Sequence, residues 1–250
     1  MTPTQPTRRE WLARSARWAG LAMLPTTLPL LPGCAATPVF EPPPATLAVQ
    51  PLRVGQVMAF NATNLYNGLV IGNARYEVLA SAPGGAATLA VRLPASNTYR
   101  TDGSARTGQL VLASLTHVAE EMFHDTTYRF TPPSRWLPDG LQLGTSPYES
   151  GVYKRDDEYH PLRWQTRVEA LGWERIRVPA GEYLALRVQR QIWFDHPERW
   201  RRGNNRTETL WFAPALGFWV RREWTGEYLR QGERREREVE DWVRFELVAA

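Results

Sequence analysis

VEALGWERIRVPAGEYLALRVQRQIWF, residues 168–194, carries the clearest local signal in the chain. After Pro179-Ala180-Gly181, Leu184, Leu186, Val188, Ile192 and Phe194 share one parity, while Arg187, Gln189 and Gln191 take the other. A period of two is that of a strand with one buried and one wet face. Before the turn, Ile176 and Val178 alternate with Arg175 and Arg177, and Gly172 marks a bulge where the apolar parity shifts. The stretch therefore predicts a β-hairpin, with 168–178 and 182–194 as adjacent antiparallel strands.

The same grammar extends outward from it. Val54–Leu65 and Leu69–Ala80 are rich in Val, Leu, Tyr and Phe and meet through Tyr66-Asn67-Gly68, a hairpin turn signal. Pro83-Gly84-Gly85 turns the chain into Leu89, Val91 and Leu93, which alternate with Ala90 and Arg92. Residues 97–108 read as a polar loop, 109–118 as an apolar run, and 128–159 as a long irregular connection containing prolines. Near the end, Leu210 and Phe212 run into Pro214-Ala215-Leu216-Gly217, then Phe218, Val220 and Trp224, and Val239, Val243, Phe245 and Leu247 form a closing strand. Helical periodicity is weak outside 114–124, and no repeat of 20 to 50 residues is visible. About eight strands in sequential order predict a mainly β fold with few helices.

With 250 residues, 43% hydrophobic and 22% charged, the composition is that of one or two globular domains. The formal charge is +4, but Arg8, Arg9, Arg14 and Arg17 stand against Glu10 alone in residues 1–34, so the remainder is nearly balanced. That balance argues against a nucleic-acid partner. The run from Gly20 to Leu31, broken by Pro25 and Pro29, is too short to span a bilayer core of about 30 Å, whereas a charged start and a short apolar centre suit an export signal. Arg8-Arg9 followed by Trp11-Leu12 resembles a twin-arginine signal. Leu31-Pro32-Gly33-Cys34 resembles the lipobox of bacterial lipoproteins, which implies acylation of Cys34, the chain's one cysteine, and cleavage after Gly33. On that resemblance Ala35, standing where inner-membrane lipoproteins usually carry Asp, implies an outer-membrane lipoprotein facing the periplasm. Residues 34–50, rich in proline, read as a tether that extends about 3.1 Å per residue, up to roughly 50 Å in all. The chain thus divides into a signal, 1–33, a lipidated cysteine and tether, 34–50, and one β-rich domain, 51–250.

Leu52-x-Val54-Gly55, Glu174-x-x-x-Val178-Pro179-Ala180-Gly181-x-Tyr183-x-Ala185-Leu186-Arg187-Val188, Trp211-Phe212-Ala213-Pro214 and Gly217-x-x-Val220 together resemble the TapB-like group, secreted bacterial domains of unknown function. The resemblance implies a fold similar to the curved antiparallel sheet of the LolA and LolB lipoprotein carriers, half-barrel-like. Its motifs are turns and strands, so it implies a scaffold and no catalytic residue.

Candidate sites are few. His117, Glu121 and His124 have metal-site spacing on a helix, but on a strand His117 and His124 have opposite parity, so no metal is expected. Asp156, Asp157 and Glu158 sit beside Lys154 and Arg155 as a solvated mixed-charge loop, and Ser146 and Ser150 form no nucleophile elbow. Arg199, Trp200, Arg201, Arg202 and Arg206 crowd a polar stretch between Phe194 and Leu210, where guanidinium forks suit phosphate or carboxylate groups. Trp173, Trp193, Trp211, Trp219 and Trp242 fall on the parity opposite the apolar residues of their strands, making a second, aromatic sheet face that is either covered or open as a groove. The expected function is a non-enzymatic, lipid-anchored envelope module, without a cofactor, that binds an apolar or amphipathic ligand or an envelope protein on a curved sheet. Trp193 and Trp211 would take the apolar part, and Arg199, Arg201, Arg202 and Arg206 the anionic end. Two alternatives stand beside it: a periplasmic hydrolase of glycan or lipid using loop carboxylates such as Glu149 and Asp157, and a structural part of an envelope complex.

Overall fold

The computed structural model describes residues 40–94, 105–123, 126–156, 158, 160–198, 201–230 and 236–250. The export segment and Cys34 lie outside the described residues. Within them, alternation and turn chemistry generate thirteen strands: β1 (Val57–Asn64), β2 (Val70–Ser81), β3 (Ala87–Leu93), β4 (Arg106–Ser114), β5 (His117–Phe123), β6 (Thr126–Arg135), β7 (Gly144–Thr145), β8 (Glu149–Arg155), β9 (Leu162–Val178), β10 (Gly181–Phe194), β11 (Arg201–Ala213), β12 (Phe218–Arg230) and β13 (Glu236–Ala249). The expected pairs form where turn residues put them. β9 and β10 run antiparallel from Gly181↔Val178 to Phe194↔Trp164, and Gly68, at φ +72°, supplies the left-handed residue of the β1–β2 turn.

Every pairing is antiparallel, each long strand pairs with its neighbour in the chain, and β13 pairs with β1 (Ala62↔Phe245, Phe60↔Leu247). The sheet is therefore a closed barrel of twelve strands, with two-residue β7 following β8 along the same edge of β9. This corrects the half-barrel expected from the LolA and LolB resemblance. Closure joins residues nearly 190 positions apart, which alternation within a strand does not encode, and it removes the free edges that an open sheet would expose. The region expected to be irregular holds β6 and β8, and residues 114–123 of the weakly helical stretch form the β4–β5 turn and β5 rather than a helix, His124 lying outside the described residues. Prolines 132 and 133 fall at the end of β6, where the register against β5 shifts and Pro costs the ladder little.

Two bulges decide which tryptophans face in. The shift opposite Gly172 sets Trp173 across from Leu186, and a shift between β11 and β12 sets Trp219 across from Phe212, so both indoles join the interior. Trp219 lies against Phe60, with ring centroids 4.1 Å apart and planes tilted by 33°, and borders Tyr76, Phe218 and Phe245. Burying each such ring contributes about 1.5–3 kcal/mol. The inward residues make two separate apolar clusters, one around Phe60, Leu89, Leu110, Val188, Phe212 and Trp219, the other of Tyr128, Phe130, Tyr153, Trp164 and Ile192. The outward positions carry Arg75, Arg163, Arg175 and Arg177, all well exposed. A membrane-spanning barrel shows an apolar band outside and a polar lumen, the reverse of this pattern.

Residues 40–50 are laid on the barrel. Phe40 packs over Gly172, the Glu41 N–H donates to Trp173 O at 2.6 Å, Arg175 pairs with Glu41 at 2.9 Å, and the Gln50 N–H donates to Pro214 O at 2.8 Å. Only 34–39 of the expected tether lies outside the described residues.

Candidate functional site

On β10 the inward series is Leu186, Val188, Arg190, Ile192 and Phe194, so a guanidinium stands where the pattern asks for an apolar group. The same break occurs at Arg206 and Glu208 on β11 and at Arg222 on β12. These side chains meet between the two apolar clusters. Arg190 gives Nη1 to Glu121 Oε2 (3.3 Å) and Glu208 Oε2 (3.2 Å), and Nη2 to Ser134 Oγ (3.0 Å). Arg222 gives Nε to Glu208 Oε1 (2.6 Å) and Nη2 to Glu121, while Arg206 reaches Glu208 Oε1 at 3.1 Å and lies 4.3 Å from the centre of the Trp224 ring.

The belt is sealed: Arg190 and Glu208 have no exposed surface. Burial by itself pushes the Glu208 carboxyl up, but Arg222, Arg206 and Arg190 outweigh it and hold its pKa at about 2. Burial would lower Arg222, yet Glu121 and Glu208 raise it above its ordinary value, whereas for Arg206 burial prevails and the pKa falls to about 10. Desolvation pushes Tyr76, on the same level of β2, up to about 12. Glu208, Arg222, Arg206 and Tyr76 thus keep their usual neutral-pH charge. The network ties β5, β6, β10, β11 and β12 together, with Arg190 Nε left without a hydrogen-bond partner among the described residues, and it is buried away from any incoming molecule.

An accessible group of polar side chains sits on the outside. A cleft of about 450 Å³ is lined by Ala113, Ser114, His117, Pro132, Pro133, Glu149 and Ser150. The β4–β5 turn brings Thr116 Oγ1 to 2.9 Å from His117 Nδ1, and His117 Nε2 lies 3.4 Å from Glu149 Oε1 on β8. Arg135, at the end of β6, donates Nε (2.8 Å) and Nη2 (2.7 Å) to that same oxygen and pairs through Nη1 with Asp139 (2.7 Å). The hydrogen bond from Arg135 holds the Asp139 carboxyl below the usual carboxylate range. Sequence reading singled out His117 and Glu149 for unrelated reasons. It missed their partner Arg135, and the only local hint was that all three flank turns or prolines.

The other expected residues do not gather into one surface. Arg206 points into the barrel, Arg201 lies 4.3 Å from the centre of the Tyr228 ring and 3.1 Å from Glu198, Arg202 is exposed, and Arg199 lies outside the described residues. The stretch expected as a loop is a strand from Arg201 onward, and alternation sends its arginines to opposite faces. Trp193 faces outward beside Tyr148 at 5.9 Å. Trp211 is buried between the Arg187 and Arg221 guanidinium groups and donates Nε1–H to Glu174. Trp193 and Trp211 pair with Asn205 and Arg187, six positions apart along β10, so they line no common groove. His117 and Glu121 leave opposite faces of β5; Asp157 and His124 lie outside the described residues. Among the described residues no three His, Cys, Asp or Glu side chains converge as a metal set.

These features define a class: a closed, up-and-down β-barrel with a water-facing exterior and a charged belt inside. No family model matches the chain, and no curated protein matches it. Among solved structures, a protein from Bacteroides fragilis NCTC 9343 assigned as exported, with a YmcC-like fold, aligns over 81% of this chain and 98% of its own, at 14% identity and a TM-score of 0.49. A protein from Parabacteroides distasonis ATCC 8503 assigned as a lipoprotein aligns over 80% and 98%, at 12% identity and a TM-score of 0.47. Neither description names the TapB-like group or the LolA and LolB carriers.

Proposed function

We propose that this chain is a lipid-anchored, non-enzymatic module of the cell envelope, exported through a twin-arginine-type signal and acylated at Cys34, with the barrel on the periplasmic side of the outer membrane. It recognises a partner protein on its outer surface. The observation that carries this reading is an apolar patch at the tip of the β1–β2 hairpin, where Tyr66 (58%), Leu69 (63%), Val70 (62%) and Trp242 (45%) stand exposed. The Leu65 N–H donates to Trp242 O, and the two aromatic rings meet edge to face at 5.5 Å, so the patch is held in shape. Contiguous exposed aromatic and aliphatic side chains of this kind are typical of protein interfaces. An apolar ligand on the concave face is disfavoured, because in a closed barrel that face is the interior, and Phe60, Leu89 and Trp219 already occupy it.

The test has two arms. A photo-crosslinking residue at Leu69 should capture one defined envelope protein, and Val70→Asp should abolish the adduct by placing an unpaired charge in a desolvated contact. Cys34→Ser should move the protein from the membrane to the soluble fraction. A crosslinking pattern unchanged by Val70→Asp would remove the patch from the reading, and hydroxylamine-resistant acylation absent from the wild type would remove the anchor.

A further inference from the structure

We infer that the cleft between the β4–β5 turn, the end of β6 and the start of β8 binds a neutral, hydroxyl-rich ligand, a sugar unit, through the free oxygen of Glu149. The inference rests on the reading of the barrel as a binding module and adds a second site to it. Its size, about 450 Å³, lies in the range of small-molecule sites, about 300–1,000 Å³. Ala113, Pro132 and Pro133 supply flat, rigid, apolar walls, and Ser114, His117, Glu149 and Ser150 supply the polar groups. Few polar groups on an apolar wall is the usual make-up of such sites.

Glu149 gives the cleft its direction. Arginine–carboxylate pairs are frequently bidentate, fork to fork, using both oxygens. Here Arg135 sends both Nε and Nη2 to Oε1, His117 Nε2 stands over the same atom, and Oε2 accepts no bond from any described residue. The carboxylate is thus held by one oxygen and presents the other. Arg135 is itself held by Asp139 and is only 12% exposed, so the acceptor is fixed before a ligand arrives and little side-chain freedom is lost on binding.

Charge then selects the ligand class. The Arg135 guanidinium beside Glu149 offsets its charge and repels a cation, while Glu149 and Asp139 together repel an anion. A purely apolar ligand would bury Oε2 without a donor, which is unfavourable. A neutral donor remains. Sugars combine hydroxyls, which can donate to Oε2 and exchange bonds with Ser114 and Ser150, with C–H faces that lie against the proline rings.

The full chain, purified in detergent, should be titrated calorimetrically with an N-acetylglucosamine disaccharide, with maltose and with putrescine. At least one disaccharide should bind saturably. Glu149→Ala should weaken it at least about tenfold, as expected for loss of a charged hydrogen bond. Ser150→Trp, at an exposed position, should block the cleft with the fold intact and carries the test if Glu149→Ala unfolds. No saturable disaccharide binding up to about 10 mM overturns the inference. So does sugar binding unchanged by Ser150→Trp, or putrescine binding in place of sugar. A protein that remains membrane-anchored and crosslinks through Leu69 but binds no sugar loses this inference alone.

Discussion

Glu208 has no water to turn to, and that makes it the residue on which the interior depends. Three guanidinium groups lie against it, and its removal leaves buried positive charge without its counter-charge. Glu208→Ala should therefore destabilise the barrel by about 3–5 kcal/mol, measured by urea unfolding, well beyond the effect of changing an exposed pair such as Arg75 with Glu77. The pH dependence follows from the same carboxyl. Its folded pKa, about 2, is below the ordinary value of 4.5, so its stabilising contribution is present above pH 4.5 and is lost as pH falls toward 2. Tyr76 acts at the other end. Its folded pKa, raised to about 12, makes its own contribution fall as pH rises from 10 toward 12, because the unfolded chain loses that proton first, while Arg206, lowered to about 10, contributes the opposite slope over the same range. Urea midpoints from pH 2 upward should show the acid flank, and Glu208→Gln should flatten it, while Tyr76→Phe should remove the tyrosine's share of the alkaline change; an acid flank unchanged in Glu208→Gln would assign it to other carboxylates.

At the scale of the element, turns and bulges carry the information that strands lack. Gly217, at φ +71°, closes the β11–β12 hairpin, and a Cβ there would collide with Gln50 O of the segment laid across it. Gly68 has nearly the same φ, +72°, with open space around it. Gly68→Ala should cost about 1–2 kcal/mol from backbone conformation alone, and Gly217→Ala distinctly more, since neither the backbone nor the carbonyl can yield cheaply. Equal losses in the two melting curves would show that the Gln50 segment moves aside freely. The hairpin at 168–194 and the bulge at Gly172 were legible because each rests on a local rule, parity or glycine. The inward turn of Trp219 was not, because its bulge is defined only against Phe212 on the partner strand.

The whole molecule depends on closure between its first and last strands. A chain ending at Arg230 would lack β13, leaving β1 and β12 as open edges and exposing Phe60 and Trp219, which pack against Phe245 directly or through each other. Such a truncation should lose the cooperative urea transition seen by tryptophan fluorescence and should aggregate. A sharp, reversible transition in it would mean that the remaining sheet is stable without closing. Because nearly all pairing is between successive strands but closure is end to end, folding should complete on the millisecond-to-second scale of all-β domains, with the β1–β13 contact forming late.

The sequence by itself determined the strand-forming runs, the hairpin turns, the bulge at Gly172, the mainly β class, and the basic, apolar and cysteine-bearing start of the chain. Each is written in residues within a few positions of one another, where sterics, turn chemistry and alternation act directly. Only the tertiary structure decided that the sheet closes, that Arg206 lies inside rather than on a binding loop, and that Arg190, Glu208, Arg222 and Glu121 break the apolar alternation together. Read along one strand, each of these is a flaw in the pattern; across the barrel, each is another's hydrogen-bonding partner. The outer cleft has the same origin. His117, Arg135 and Glu149 come from three different strands, and the free oxygen of Glu149 exists because Arg135, fourteen positions earlier in the chain, takes the other one. Pairing across that distance is set by strand register, a property of the closed sheet and of no single segment.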